Sequence, residues 1–140
     1  MATYIKPANP FSFRDFLAAR WLKVEADGSF MAWGQHVWWW LDGGWKKMWF
    51  YLDGQRRMGY VRVNKKNEVS VAVTAEVRRT GGALALLLEM RKHVSGTLYA
   101  RIHRLNVASR MLFVRAGYSY QLHKFGESEE WVFLVHKEDK

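Results

Sequence analysis

The chain has 140 residues, of which 49% are hydrophobic and two are proline, with no cysteine and a formal charge of +9. Such a composition gives one compact domain over residues 1–140 with its own core, and it excludes a disordered chain, a disulfide framework, a thiol nucleophile and a thiolate metal site. No apolar run approaches the roughly 20 residues that span a bilayer, and the first seven residues lack the layout of a signal peptide, so a soluble cytoplasmic protein with no membrane partner is expected.

Ser12-Phe-Arg-Asp15 reads as a capping-box-like start of a helix that runs to about Leu22. Asp27-Gly28 turns the chain, Ser29 caps a second helix to about Leu41, and Gly43-Gly44 ends it. Three strands follow as a meander: Trp45–Leu52, then Asp53-Gly54 as a hairpin signal, Arg57–Val63, the turn Asn64–Asn67, and Glu68–Thr74. Helix Gly82–Val94 leads to a strand at Leu98–His103. Helix Val107–Ala116 and two strands, near Tyr118–Lys124 and Trp131–His136, complete the chain. The order implies an α+β (α/β-like) domain, a mixed sheet with helices on both faces. Helix Gly82–Val94 joins two strands as a crossover, so those strands are expected to be parallel neighbours.

The passage from Glu68–Thr74 into helix Gly82–Val94 carries the most information. A strand feeding a helix N-terminus through a glycine-containing turn makes an anion site. The first helical N–H groups point outward, and the helix dipole adds about half a positive charge. Arg78 and Arg79 at the mouth add full charges with bidentate geometry. Downstream, Asn106 can cap the helix Val107–Ala116, in which Val107, Met111, Leu112 and Val114 recur at helical spacing. Gly117 suits the left-handed position after it.

The spacing Arg78-x-x-Gly81-x-Ala83 resembles the Arg/Gln-x-x-Gly-x-Gly/Ala signature of the GNAT acetyltransferase superfamily. The run of strand, Asn106, short helix and Gly117-Tyr118 is similar to that family's second block, and the two blocks cover residues 68–120. The resemblance implies a single GNAT-like domain whose sheet of about six or seven strands splays in the middle. It implies an N-acetyltransferase moving an acetyl group from acetyl-coenzyme A, its co-substrate, to a primary amine. Arg78, Arg79, Thr80, Gly81, Gly82 and Ala83 would then hold the pyrophosphate. The backbone of Val71 and Val73 would hold the pantetheine, with Asn106 and Ser109 beside it. The acceptor stays open between a small molecule, a protein amine and an aminoacyl-tRNA, and so does a homodimer.

Many family members place a tyrosine as proton donor where this chain has Phe113. The implied substitutes are Tyr118, Tyr120 or Ser109, against the plainer reading that an aromatic after a helix-ending glycine is core. For a general base the candidates are Glu68 and His103. The plainer readings are a turn residue beside Lys65 and Lys66, and a half-buried histidine satisfied by backbone. His36, His93, His123 and His136 are scattered without metal-ligand spacing, and no metal is expected. A noncatalytic coenzyme A-binding or protein- or nucleic-acid-binding module of the same fold is the competing reading, kept alive by Phe113.

Basic residues come as scattered pairs and not as one run. Part of the excess charge can serve cofactor phosphates, and part can steer an acidic protein or an RNA as acceptor. Phe30, Trp33, Val37 and Trp40 share one helical stripe, expected to face the core, while Trp38 and Trp39 lie on other azimuths. In the resemblance, this segment sets acceptor choice.

Overall fold

Alternation along adjacent strands decides the architecture. Strand β2 (Met48–Asp53) and strand β3 (Arg56–Val63) send successive side chains to opposite faces. Met48, Phe50, Leu52 and Tyr60 enter one buried cluster, and Trp49, Met58, Val61 and Val63 enter another. A sheet apolar on both faces needs cover on both. The computed structural model of the protein describes residues 3–27, 32–78, 80–121 and 130–137. In it, α1 (Phe13–Asp27) and α2 (Trp33–Trp39), extended by a π-helical turn over Trp40–Gly44, cover the first face with Ala19, Leu22 and Trp40. Strand β4 (Val69–Val73) leads through the short helix α3 (Ala75–Arg78) into α4 (Gly82–His93). That helix covers the second face with Leu86, Leu87 and Met90.

The remaining elements are β1 (Thr3–Pro7), β5 (Leu98–His103), α5 (Val107–Arg115), β6 (Ser119–Tyr120) and β7 (Trp131–His136). Strands β1-β2-β3-β4 form one antiparallel sheet and β5-β7-β6 a second. The only strand pairing between them among the described residues is a single parallel bridge from Glu68 to Tyr99. Beside it, the Tyr99 N–H donates to the Asn67 carbonyl at 2.9 Å. Past this point β4 and β5 part, which is the expected splay. The seven strands among the described residues and the helices on both faces agree with the α+β reading.

Several local expectations need correction. Strand β1 was not foreseen, because five residues ending in proline carry little strand signal. As an edge strand paired only to β2 it tolerates Pro7, which lacks an N–H. Ser12 does cap α1, its Oγ accepting from the Asp15 N–H at 3.1 Å, but the box is not reciprocal. The buried Asp15 carboxylate accepts instead from the Asn9 N–H and from the Arg57 guanidinium. The start of the second helix, with Ser29, lies outside the described residues, as does Phe30.

The tryptophan stripe is rotated. Trp40 is buried, yet Trp33 is 51% exposed and Val37 43%. Buried His36 takes the core position one turn before Trp40, with its Nε2–H donating to the Phe16 carbonyl at 2.9 Å. A histidine with its proton fixed in this way is a legitimate core residue, and burial holds its pKa below the ordinary value. On α5, Val107, Met111 and Val114 are exposed and Phe113 is the buried residue. No helix among the described residues is long and apolar enough to cross a membrane.

Candidate functional site

The parting of β4 and β5 leaves backbone without a strand partner among the described residues. The Thr74 N–H donates to Met58 of β3 at 2.9 Å, so even-numbered residues of β4 turn their peptide groups toward β3. By the two-residue period, Val71 and Val73 turn theirs into the gap. Their donors and acceptors form an open edge inside the molecule, flanked by α4 and α5.

At the end of β4 the chain does not pass straight into a glycine turn. The Thr74 carbonyl accepts from the Val77 and Arg78 N–H groups and starts the extra helical turn α3. Thr80 closes that turn with its N–H and its hydroxyl, both donated to the Val77 carbonyl at 3.0 Å. Gly81 then adopts φ 81°, the left-handed region, as the cap of α4 without a side-chain bond. In that conformation an L side chain is strained. A Cβ there would meet nothing within 4 Å, so the turn has open space in front of it. Among the described residues, the first-turn N–H groups of Gly82, Ala83 and Leu84 have no backbone acceptor ahead of the helix. Gly82 is glycine for another reason: a Cβ would lie 2.4 Å from Val77 Cγ1.

The opposite wall is α5. Asn106 caps it, its Oδ1 accepting from the Ser109 N–H at 3.1 Å, which leaves the amide nitrogen as a donor. The two walls enclose a cleft of about 850 Å³, lined by Val71, Val73, Arg78, Gly81, Ala83, Asn106 and Ser109 from the sequence-derived set. Ala72, Leu84, Ala108, Met111, Leu112 and Arg115 line it as well and were not singled out. Arg115 had a legible signal, since it sits two helical turns after Ala108 on the same α5 face. Thr80 and Gly82 support the turn without lining the cleft, and Arg79 lies outside the described residues.

The catalytic candidates are spread out. Glu68 stands at the join of the two sheets, half-buried, with Asn64 Nδ2 at 3.5 Å from its Oε1. His103 ends β5, its ring edge-on to Trp131 at 5.3 Å and its Nδ1 accepting from the Leu105 N–H at 3.2 Å. Tyr118 is buried in the core, 5.0 Å from the Phe113 ring and 5.0 Å from that of His136. Burial pushes its phenol up to about 12, which makes it a reluctant donor. Phe113 is equally buried. Tyr120 is exposed beside Arg110, 3.5 Å away. Among the cleft-lining residues the one hydroxyl belongs to Ser109. No group of three histidine, aspartate or glutamate side chains gathers as a metal site among the described residues.

Two sheets joined at one bridge, opening beside a helix N-terminus that follows the inner strand, define the fold of the GNAT N-acetyltransferases. Solved structures bear this out. A GNAT-family acetyltransferase from Bacillus cereus superposes with a TM-score of 0.75 at 13% identity, covering 100% of both chains. The Salmonella typhimurium protein yncA, solved with its cofactor acetyl-CoA, gives 0.74 at 18% identity over 100% of this chain and 96% of that one. The ribosomal-protein-S18-alanine N-acetyltransferase from Escherichia coli gives 0.71 at 14% identity, covering 97% and 94%. No family sequence model matches the chain, and no curated protein matches it by sequence.

Proposed function

We propose that the protein is an N-acetyltransferase using acetyl-coenzyme A to acetylate a primary amine, and that the amine belongs to a protein. The observation that carries this reading is the cleft, where an unpaired strand edge, a left-handed glycine at a helix N-terminus and Asn106 converge. A long ligand with amides at one end and phosphates at the other fits that sequence of groups. The N–H groups of Gly82 to Leu84, with Arg78 and Arg115, suit the phosphates. Val71 and Val73 suit the amide-bearing arm through main-chain bonds, and Asn106 adds a donor. When bound, acetyl-coenzyme A supplies an acyl thioester. One of the similar structures is the ribosomal-protein-S18-alanine N-acetyltransferase from Escherichia coli, which favours a protein amine as acceptor.

The residues divide the proton work. Glu68, at the point where the strands part, is placed to take a proton from the incoming amine. Ser109, the one hydroxyl among the cleft-lining residues, would give a proton to the departing thiolate, and thiolates are tolerable leaving groups that need little help. Burial favours a packing role for Tyr118 and Phe113, and a noncatalytic module of the same fold remains the second reading because Phe113 takes the usual tyrosine position. Titration calorimetry with acetyl-coenzyme A, then thiol release with a panel of peptide and small amines, tests both. Micromolar binding with transfer supports the enzyme. Binding without transfer to any amine supports a coenzyme A-binding module, and no binding overturns both of these and leaves a protein- or nucleic-acid-binding module.

A further inference from the structure

Helices α1 and α2 lie side by side over one face of the first sheet. The Phe16 ring meets the rings of His36 at 4.4 Å and Trp40 at 5.9 Å, and the Arg20 guanidinium lies 3.8 Å from the Trp33 ring centre. Later residues of α1 meet earlier residues of α2, so the pair runs antiparallel. Inward, α1 sends Asp15, Ala19 and Leu22, and α2 sends His36 and Trp40, all buried. Successive helical residues turn by about 100°, so the opposite side of α1 carries Phe13, Leu17 and Trp21. On α2, Trp38 stands opposite His36, with Val37 and Leu41 beside it.

A helix that covers a core ordinarily keeps its outer face polar. This outer face is apolar. Phe13, Trp38 and Leu41 are each 70% exposed and Trp21 is 58% exposed, while Phe11, just ahead of α1, is almost fully open. With Trp33, five aromatic residues here are exposed by half or more. At about 200 Å² for each aromatic side chain, they leave roughly 700 Å² of apolar surface, to which Leu41 and Val37 add. The largest such patch on a typical monomer is about 300–600 Å². A stable protein–protein interface takes about 800 Å² from each partner, which this face can supply.

Charge decides what can cover it. Residues 13–44, which hold both helices, carry three basic and four acidic side chains, a net of −1, although the whole chain is +9. The positive excess lies on the rest of the molecule. An anionic bilayer or an acidic partner would be drawn there, whereas two copies can bring these faces together without mutual repulsion. Two-fold symmetry lets one patch serve both sides of the contact, and two antiparallel helix pairs laid face to face make a four-helix arrangement.

We propose that a second copy of this chain covers the α1–α2 face, giving a two-fold symmetric dimer anchored by Phe13, Trp21 and Trp38. The cleft is flanked by α4 and α5, on the other face of the sheet, so both clefts stay open and the pairing does not depend on the acetyltransferase reading. Sedimentation equilibrium of the full chain should give twice the 16.5 kDa of one copy. Phe13→Glu and Trp21→Glu each bring two carboxylates into the contact and should raise the dimer dissociation constant by about thirtyfold or more, with far-ultraviolet circular dichroism unchanged. Leu88→Glu, the same kind of change on the exposed side of α4, should leave the dimer intact. Interfaces of this area hold at micromolar concentrations or below, so a wild type that is monomeric at about 100 µM overturns the proposal. A dimer that neither α1 substitution weakens, or that Leu88→Glu weakens equally, overturns it also. Co-sedimentation of a monomeric wild type with phosphatidylserine vesicles, lost in Trp21→Glu, would give the face to a lipid surface instead.

Discussion

Gly81 and Gly82 stand side by side at the start of α4 and should answer differently to the same added methyl. At Gly82 a Cβ would lie 2.4 Å from Val77 Cγ1 and 3.1 Å from Tyr51 Cζ. Carbon atoms sit best about 3.5–4.0 Å apart, so the first contact is too close by roughly an ångström. Val77 is β-branched and buried, so it cannot rotate clear, and relief requires the first turn of α4 to lift. Overpacking of this kind costs about 1–3 kcal/mol. At about 4 °C per kcal/mol for a chain of this size, Gly82→Ala should melt roughly 4–12 °C lower. The lifted turn carries the N–H groups aimed at the cleft, so coenzyme A affinity should drop with it. At Gly81 the added Cβ meets nothing within 4 Å, and the cost is the φ of 81°. That strain is about 1–2 kcal/mol for alanine and smaller for asparagine, which visits the left-handed region. Gly81→Asn should therefore melt near the wild type while its side chain obstructs the cleft. Calorimetric melting and coenzyme A titration of the variants separate the two glycines. A Gly82→Ala protein melting within about 1 °C of wild type would falsify the packing argument. A Gly81→Asn protein with wild-type coenzyme A affinity would remove the phosphate site from this turn.

Three further expectations follow from buried groups and cleft charges. Arg78→Gln and Arg115→Gln should each weaken coenzyme A about tenfold, with a shallower salt dependence, since each removes one charge-assisted contact; unchanged affinity for both would place the phosphates elsewhere. Burial keeps His36 neutral below its ordinary pKa, so under about pH 6.5 the unfolded chain binds more protons than the folded one, and stability should fall as the pH drops. His36→Gln should flatten that fall between about pH 7 and 5, and parallel loss in both proteins would exonerate His36. The Tyr118 phenol is pushed up to about 12, so the folded state holds its proton longer than the unfolded one and stability should decline above about pH 10. Tyr118→Phe should abolish that decline and cost less than about 1 kcal/mol at neutral pH, because the hydroxyl has no partner among the described residues; a large loss of turnover at neutral pH would instead restore Tyr118 as the acid.

The parts legible in the sequence were those governed by local rules. Asn67 takes a φ of 62° at the end of its turn, Gly54 closes the β2–β3 hairpin, and Asn106 with Gly117 brackets α5, all from short-range turn chemistry. The turn ahead of α4 was legible because a glycine in the left-handed region and a helix start sit together there. What failed depended on azimuth. Along Trp33–Trp40 five of the eight residues are apolar, four of them tryptophan, and they fall on every side of the helix, so hydrophobicity could not say which stripe faces inward. The answer lay in His36, whose single polar bond to Phe16 settles the rotation. On α5 the apolar residues Met111 and Leu112, read from the sequence only as a helical repeat, line the cleft. Glu68 and Arg62 became neighbours of Tyr99 and Ser70 only through strand pairing, which no local pattern records.

The seam between β4 and β5 has a consequence for how such a protein can drift. Exposed strand edges invite other chains, but this one is enclosed by α4 and α5 and admits only something narrow and flexible. A wall made of peptide N–H and C=O groups asks of Val71 and Val73 only that they remain extended and apolar. Most of the vocabulary of such a seam is main chain, common to all residues, and Gly81 is the rare letter it cannot spare. Sequences sharing such a seam can therefore diverge until direct comparison finds nothing, while the shape persists.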